Sequence, residues 1–211
     1  MVFTAPSILE IPITDIQKTA AALVGRSWAE SFFGNISVLL DLDDVEMDIM
    51  DRYPIHTEIP DLNRRYILVT RTFSTMKEVV RDPERALGFY RIENRELLLL
   101  WGEGPPTSEL SSHLMAYSTG RGRAIIHCHM DLVGRVSSSF GIADHPLPTG
   151  TQIIEELEPG SIELARATGD ALRKNDTVIW RGHGAFSMTD SLGESLKRLE
   201  GLEGYLNGIP P

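Results

Sequence analysis

Ala124-Ile125-Ile126-His127-Cys128-His129 runs an apolar stretch into two histidines one residue apart. The apolar part reads as a β-strand. In a strand, positions i and i+2 project to the same face, so both imidazoles can converge on one ion while Cys128 points the other way. That is a metal-chelating geometry, although two half-buried histidines satisfied by backbone groups would leave the same trace in the sequence. Outward from this stretch, further short β candidates lie at Ile36–Leu42, Tyr66–Thr70, Gly88–Ile92, Glu96–Trp101 and Val178–Trp180, bounded by Gly, Pro or charged pairs. Helical spacing of apolar positions marks Ile13–Phe32, Ser108–Tyr117, Gly160–Leu172 and Ser191–Leu206, with Thr14 or Asp15 as the N-cap of the first. Early strands followed by interleaved strands and helices predict one α/β or α+β domain over residues 1–211, a sheet covered by helices.

Composition narrows the function classes. The chain has 211 residues, 42% of them hydrophobic, enough for one substantial core. Its 30 acidic residues against 20 basic ones leave a net charge of −10, which argues against a grip on nucleic-acid phosphates or an anionic membrane. No apolar run approaches the roughly 18 residues that span a bilayer, and Met1–Glu10 lacks a basic segment followed by a long apolar one. A cytoplasmic protein is the expectation. The single cysteine, Cys128, cannot form an intrachain disulfide, so nothing asks for an oxidising compartment.

Three further motifs carry chemistry. His183 stands in Trp180-Arg181-Gly182-His183-Gly184, where a strand runs into a turn whose glycines let the backbone approach a bound group. Together with His127 and His129 it would complete a tripod of neutral imidazoles that leaves a fourth zinc position open, the catalytic arrangement; a locally hydrogen-bonded turn histidine is the alternative. Gly104-Pro105-Pro106-Thr107-Ser108-Glu109 leads into a helix. Thr107 and Ser108 are natural N-caps able to hold an anion, and Glu109 sits in the first turn with His113 as its i+4 partner. At Gly34-Asn35-Ile36-Ser37 the first helix gives way to a strand, and its backbone NH groups, amide and hydroxyl suit either a phosphate or a plain helix C-cap and turn.

Taken in order, Gly34-Asn35-Ile36-Ser37, Pro106-Thr107-Ser108-Glu109, His127-Cys128-His129 and His183-Gly184 resemble the class II aldolase/adducin family, on its rhamnulose-1-phosphate and fuculose-1-phosphate aldolase branch. The resemblance implies a three-layer α/β/α domain around a mostly antiparallel sheet and a homo-oligomer, usually a tetramer. It assigns Zn2+, or another divalent ion, to His127, His129 and His183, and proton transfer to Glu109. The implied substrate is a small sugar phosphate whose phosphate is held by Gly34, Asn35, Ser37, Thr107 and Ser108. The family's second phosphate loop, commonly Thr-Gly, is here Thr72-Phe73, so Thr72 takes that role without its glycine. Retro-aldol cleavage needs an electron sink at the carbonyl, which a divalent cation supplies as a Lewis acid. A sugar-phosphate dehydratase or epimerase of the same family, or an adducin-like interaction scaffold, are the competing readings; Glu rather than Asp at position 109 disfavours the epimerase, and three retained histidines disfavour the scaffold.

Overall fold

The computed structural model describes residues 5–57, 62–130 and 146–208, leaving the first four residues of the N-terminal stretch outside. Nine strands form one sheet: β1 (Asn35–Leu40), β2 (Asp51–Pro54), β3 (Tyr66–Thr70), β4 (Leu87–Glu93), β5 (Glu96–Gly102), β6 (Ala124–Cys128), β7 (Thr151–Ile154), β8 (Thr177–Trp180) and β9 (Gly184–Thr189). Their order is β2-β5-β4-β3-β1-β6-β9-β8-β7. All neighbours pair antiparallel except β7 and β8, which run parallel.

Helices cover both faces, because strand alternation sends apolar side chains to each. On one face, α1 (Glu10–Gly25), α2 (Met76–Arg81), α3 (Pro83–Ala86) and the last helix pack Ile16, Leu23, Val79, Leu199 and Leu202 over Ile36, Leu68, Ile126 and Cys128. On the other, α4 (Leu110–Tyr117) and α5 (Ile162–Leu172) lay Leu114, Tyr117 and Leu164 over Ile67, Val69, Ile125 and Phe186. The last helix is α6 (Leu192–Asn207). The expected α/β/α layering around a mostly antiparallel sheet is therefore present. Among the described residues, no helix is long and apolar enough to cross a membrane.

Most boundaries fall within two residues of the sequence expectation, with the first helix as the main correction. It starts at Glu10, so Thr14 is interior and its hydroxyl donates to the Glu10 carbonyl at 2.7 Å. It ends at Gly25 rather than Phe32, since Ser27 and Ser31 take φ of 56° and 54°, which no helix tolerates. The segment that follows is pinned instead of coiled. Trp28 is buried, its indole N–H donates to Glu203 at 2.9 Å, and its carbonyl accepts from the His129 N–H at 2.8 Å.

Candidate active site

Strand β6 lies near the middle of the sheet between β1 and β9, and its last turns of side chain parity place the histidines. His127 is fully buried on the α4 face, against Trp180 (ring centroids 4.4 Å apart) and Phe186, while Cys128 sits in the opposite core. His129 is just beyond the strand end, its ring stacked on Phe33 at 4.8 Å. The β8–β9 hairpin brings in the third ring: the His183 N–H donates to the Trp180 carbonyl at 3.0 Å, closing the turn. Gly184 opens β9 because nothing larger fits; a Cβ there would lie 2.4 Å from the Cys128 carbonyl oxygen and 3.0 Å from Cε1 of His127. Gly34 meets the same constraint, with φ of +81° and a notional Cβ 2.9 Å from the His127 carbonyl oxygen.

The donor atoms of His127, His129 and His183 all lie within 4.8 Å of one another, a cluster that could hold a metal ion. Protonation states follow from the partners. The His127 Nδ1 faces the Ala185 carbonyl at 3.0 Å, which only accepts, so Nδ1 carries the hydrogen and Nε2 presents its lone pair. That Nε2 is 3.0 Å from Nε2 of His129 and 3.3 Å from Oε2 of Glu109. The Glu109 Oε1 is 3.4 Å from Nε2 of His183. These are not ion pairs, because burial, first among the causes, pushes the His127 and His183 rings below their ordinary range and His129 to about 3. Three neutral rings and a carboxylate thus face one point. A small cation fits among them: the His127 and His129 Nε2 atoms are 3.0 Å apart, close to the edge of a tetrahedral zinc site, about 3.3 Å for bonds near 2.0 Å, and the three rings' ligand atoms spread over at most 4.8 Å. The residues fit a divalent ion.

Glu109 is 7% exposed and is the N-cap residue of α4, one position before the expected first turn. Its carboxylate is not paired with His113 directly. The Asn35 Nδ2 donates to its Oε2 at 2.7 Å, and the Asn35 Oδ1 meets Nε2 of His113 at 2.5 Å. A cavity of about 450 Å³ opens in front, lined among others by Gly34, Asn35, Thr72, Thr107, Ser108, Glu109, His129 and His183. Ser37 is the exception among the expected phosphate contacts. It is fully buried, does not line the cavity, and its Oγ is held by Nδ1 of His113 at 2.6 Å and the Tyr117 hydroxyl at 2.7 Å. Strand parity puts residues 35 and 37 on one face, but Ser37 lies some 7 Å deeper, beneath α4. Backbone donors are also partly spent: the Thr107 N–H goes to the Thr70 carbonyl and the Thr72 N–H to the Pro105 carbonyl, each at 3.0 Å. Hydroxyls and the second amide hydrogen of Asn35 face the cavity, and Arg71, paired with Glu103, lines it as well.

Two features escaped the sequence reading. Phe32, Phe33 and Phe73 ring the cavity mouth, exposed by 60%, 54% and 78%. His113, expected as the i+4 partner of Glu109, is fully buried and bonded to Asn35 and Ser37 instead, and burial lowers it to about 4. The i, i+4 pairing of His113 with Tyr117 on one helix face was the available signal. A consequence for stability follows. The unfolded chain takes up a proton at this ring near pH 6.5 whereas the folded chain resists until about pH 4, so its contribution is complete above pH 6.5 and is lost as pH falls toward 4. The loss amounts to about 3 kcal/mol. Urea unfolding of chelator-treated protein at pH 7.5 and 4.5 should show it as the part of the difference that His113→Gln removes, the rest coming from His127, His129 and His183; an equal difference in both proteins would contradict the assignment.

An aldolase-type lyase is the class of protein that this sheet, this histidine cluster and this buried glutamate define. The chain belongs to the class II aldolase and adducin N-terminal domain family, whose sequence pattern matches residues 14–207. It is similar to the rhamnulose-1-phosphate aldolase of Listeria monocytogenes, 28% identical over 90% of this chain and 81% of that one. Among solved structures, the sugar-phosphate aldolase from Thermotoga maritima superposes with a TM-score of 0.85 at 26% identity, covering 97% of this chain and 99% of the other. The L-fuculose-1-phosphate aldolase from Thermus thermophilus shares the fold, with a TM-score of 0.62 at 17% identity over 92% of this chain and 91% of the other.

Proposed function

We propose that the chain, acting as a single class II aldolase-like domain, cleaves a ketose 1-phosphate of the rhamnulose or fuculose type to dihydroxyacetone phosphate and an aldehyde. His127, His129 and His183 would hold Zn2+, or another divalent ion, and Glu109 would transfer the proton. The observation that carries this reading is the Glu109 carboxylate, buried yet at the cavity floor, 3.3 and 3.4 Å from two of the three imidazoles. When bound, the ion supplies Lewis-acid polarisation of the substrate carbonyl, worth several kcal/mol.

The protein's own groups do the rest. His127 holds its lone pair forward because Ala185 fixes its tautomer, and Trp180 and Phe186 exclude water behind it. Glu109 exchanges a proton with the reacting carbon through whichever oxygen Asn35 leaves free, Oε1, since Oε2 accepts the Asn35 amide. Gly34, Asn35 and the hydroxyls of Thr72, Thr107 and Ser108 line the part of the cavity suited to the phosphate. These groups are neutral, and Arg71, which also lines the cavity and is paired with Glu103, is the nearby cation. Exposed Phe32, Phe33 and Phe73 at the mouth support a homo-oligomer, a tetramer by analogy, whose neighbour covers them. The single buried thiol of Cys128 is in keeping with the cytoplasm.

A panel of phosphorylated ketoses, read by a coupled assay for dihydroxyacetone phosphate beside a dehydratase assay, tests the reading. Release of dihydroxyacetone phosphate from at least one ketose 1-phosphate is expected. Loss of water without carbon–carbon cleavage would move the protein to the dehydratase branch.

A further inference from the structure

Glu109 is the near end of a buried hydrogen-bond chain whose donors all point toward it. The direction can be worked out link by link. A carboxylate accepts, so the Asn35 atom 2.7 Å from Glu109 Oε2 is the NH2 group and Oδ1 faces His113. Oδ1 accepts in turn, so Nε2 of His113, 2.5 Å away, carries the ring hydrogen. A neutral ring then has an acceptor at Nδ1, and the Ser37 hydroxyl at 2.6 Å must donate to it. Having given its hydrogen to the ring, Ser37 accepts from the Tyr117 hydroxyl at 2.7 Å. Ser37 and His113 are fully buried and Tyr117 is 2% exposed, so the links behind Asn35 are shielded from solvent.

We propose that His113 is a positioning residue for Glu109: by donating from Nε2 it holds the Asn35 side chain with its NH2 group toward the carboxylate, and Ser37 with Tyr117 locks the His113 tautomer that does so. Without that lock Asn35 is free to turn, and its carbonyl oxygen would then face the carboxylate, repelling the oxygen it now holds. Aligned donors in a dry interior also polarise one another toward Glu109. The inference rests on the proposed role of Glu109 in turnover, and its structural half can be read without any turnover.

The test uses metal-loaded wild type, His113→Leu, His113→Gln and Tyr117→Phe. Leucine removes both ring functions while keeping an apolar fill. Its kcat should fall by about 30-fold with KM changed less than about 3-fold, the signature of a misplaced reacting group rather than lost binding. Glutamine, whose Nε2 can donate from nearly the same position, should recover kcat to within about 5-fold of wild type, and Tyr117→Phe should lower it by about 3-fold. Metal content should stay at the wild-type level in all of them. In wild type, nitrogen NMR of labelled histidine should find His113 neutral with its hydrogen on Nε2. Unchanged kcat in His113→Leu, a glutamine variant as impaired as leucine, or a ring hydrogen on Nδ1 would each overturn the proposal. Should the leucine variant not fold, Tyr117→Phe and the NMR tautomer decide. If wild type cleaves none of the sugars, the aldolase reading fails, and the tautomer still decides whether the chain is wired as inferred.

Discussion

Replacing Glu109 with glutamine is expected to lower turnover of a ketose 1-phosphate by about 10²- to 10⁴-fold while metal content stays at the wild-type level. Glutamine has the shape of the carboxylate and can still accept from the Asn35 amide, so the cavity and its floor persist. What is lost is an oxygen that can take up and return a proton. Steady-state kinetics on the best substrate, with metal analysis on the same sample, separates this outcome from two others. Turnover within a factor of two of wild type would remove Glu109 from the chemistry. Loss of the ion would recast Glu109 as a ligand, which its 3.3 and 3.4 Å distances to two imidazoles make a fair alternative.

His127→Ala carries the second large effect. The three ring centroids lie 4.6 to 5.0 Å from one another, and His127 is the ring that is fully buried and whose tautomer the Ala185 carbonyl sets. Altering groups that merely orient a metal ligand weakens binding by 10- to 100-fold, so deleting the ligand itself should cost more than about 100-fold. Equilibrium competition with a chromophoric chelator measures this. Turnover should vanish in parallel, because the electron sink and the orientation of Glu109 both depend on the site. Unaltered affinity in the variant would mean that His127 is only a core histidine packed on Trp180.

Local signals were enough to bring the histidines of β6 to one face, for a physical reason. Strand parity alone puts His127 and His129 forward and Cys128 back, and the boundaries of β3 and β6 coincide with the apolar runs Tyr66–Thr70 and Ala124–Cys128. Where spacing was ambiguous the reading went astray. Trp28 and Phe32 continue the four-residue period of α1, yet tertiary anchoring of Trp28 through Glu203 and His129 wins over periodicity. Strand β9, Gly-Ala-Phe-Ser-Met-Thr, lacks a β-branched run; its small leading residues are required by the close approach to Cys128 and have no signature of their own. Helix α2 did leave one: Thr75 and Glu78 form a reciprocal capping box, at 3.1 and 2.7 Å, that a search for that pattern finds. Burial of Ser37 was not legible, because it depends on where α4 crosses β1, a contact between segments some 75 residues apart.

The central claim is that His127, His129 and His183 meet around one divalent cation beside Glu109, and an anomalous-scattering map of a metal-loaded crystal at the zinc edge tests it most directly. A single strong peak about 2.0–2.1 Å from one nitrogen of each of the three rings is the result predicted here. A map with no peak among them, or with the peak on other residues and the three rings turned apart, would contradict it.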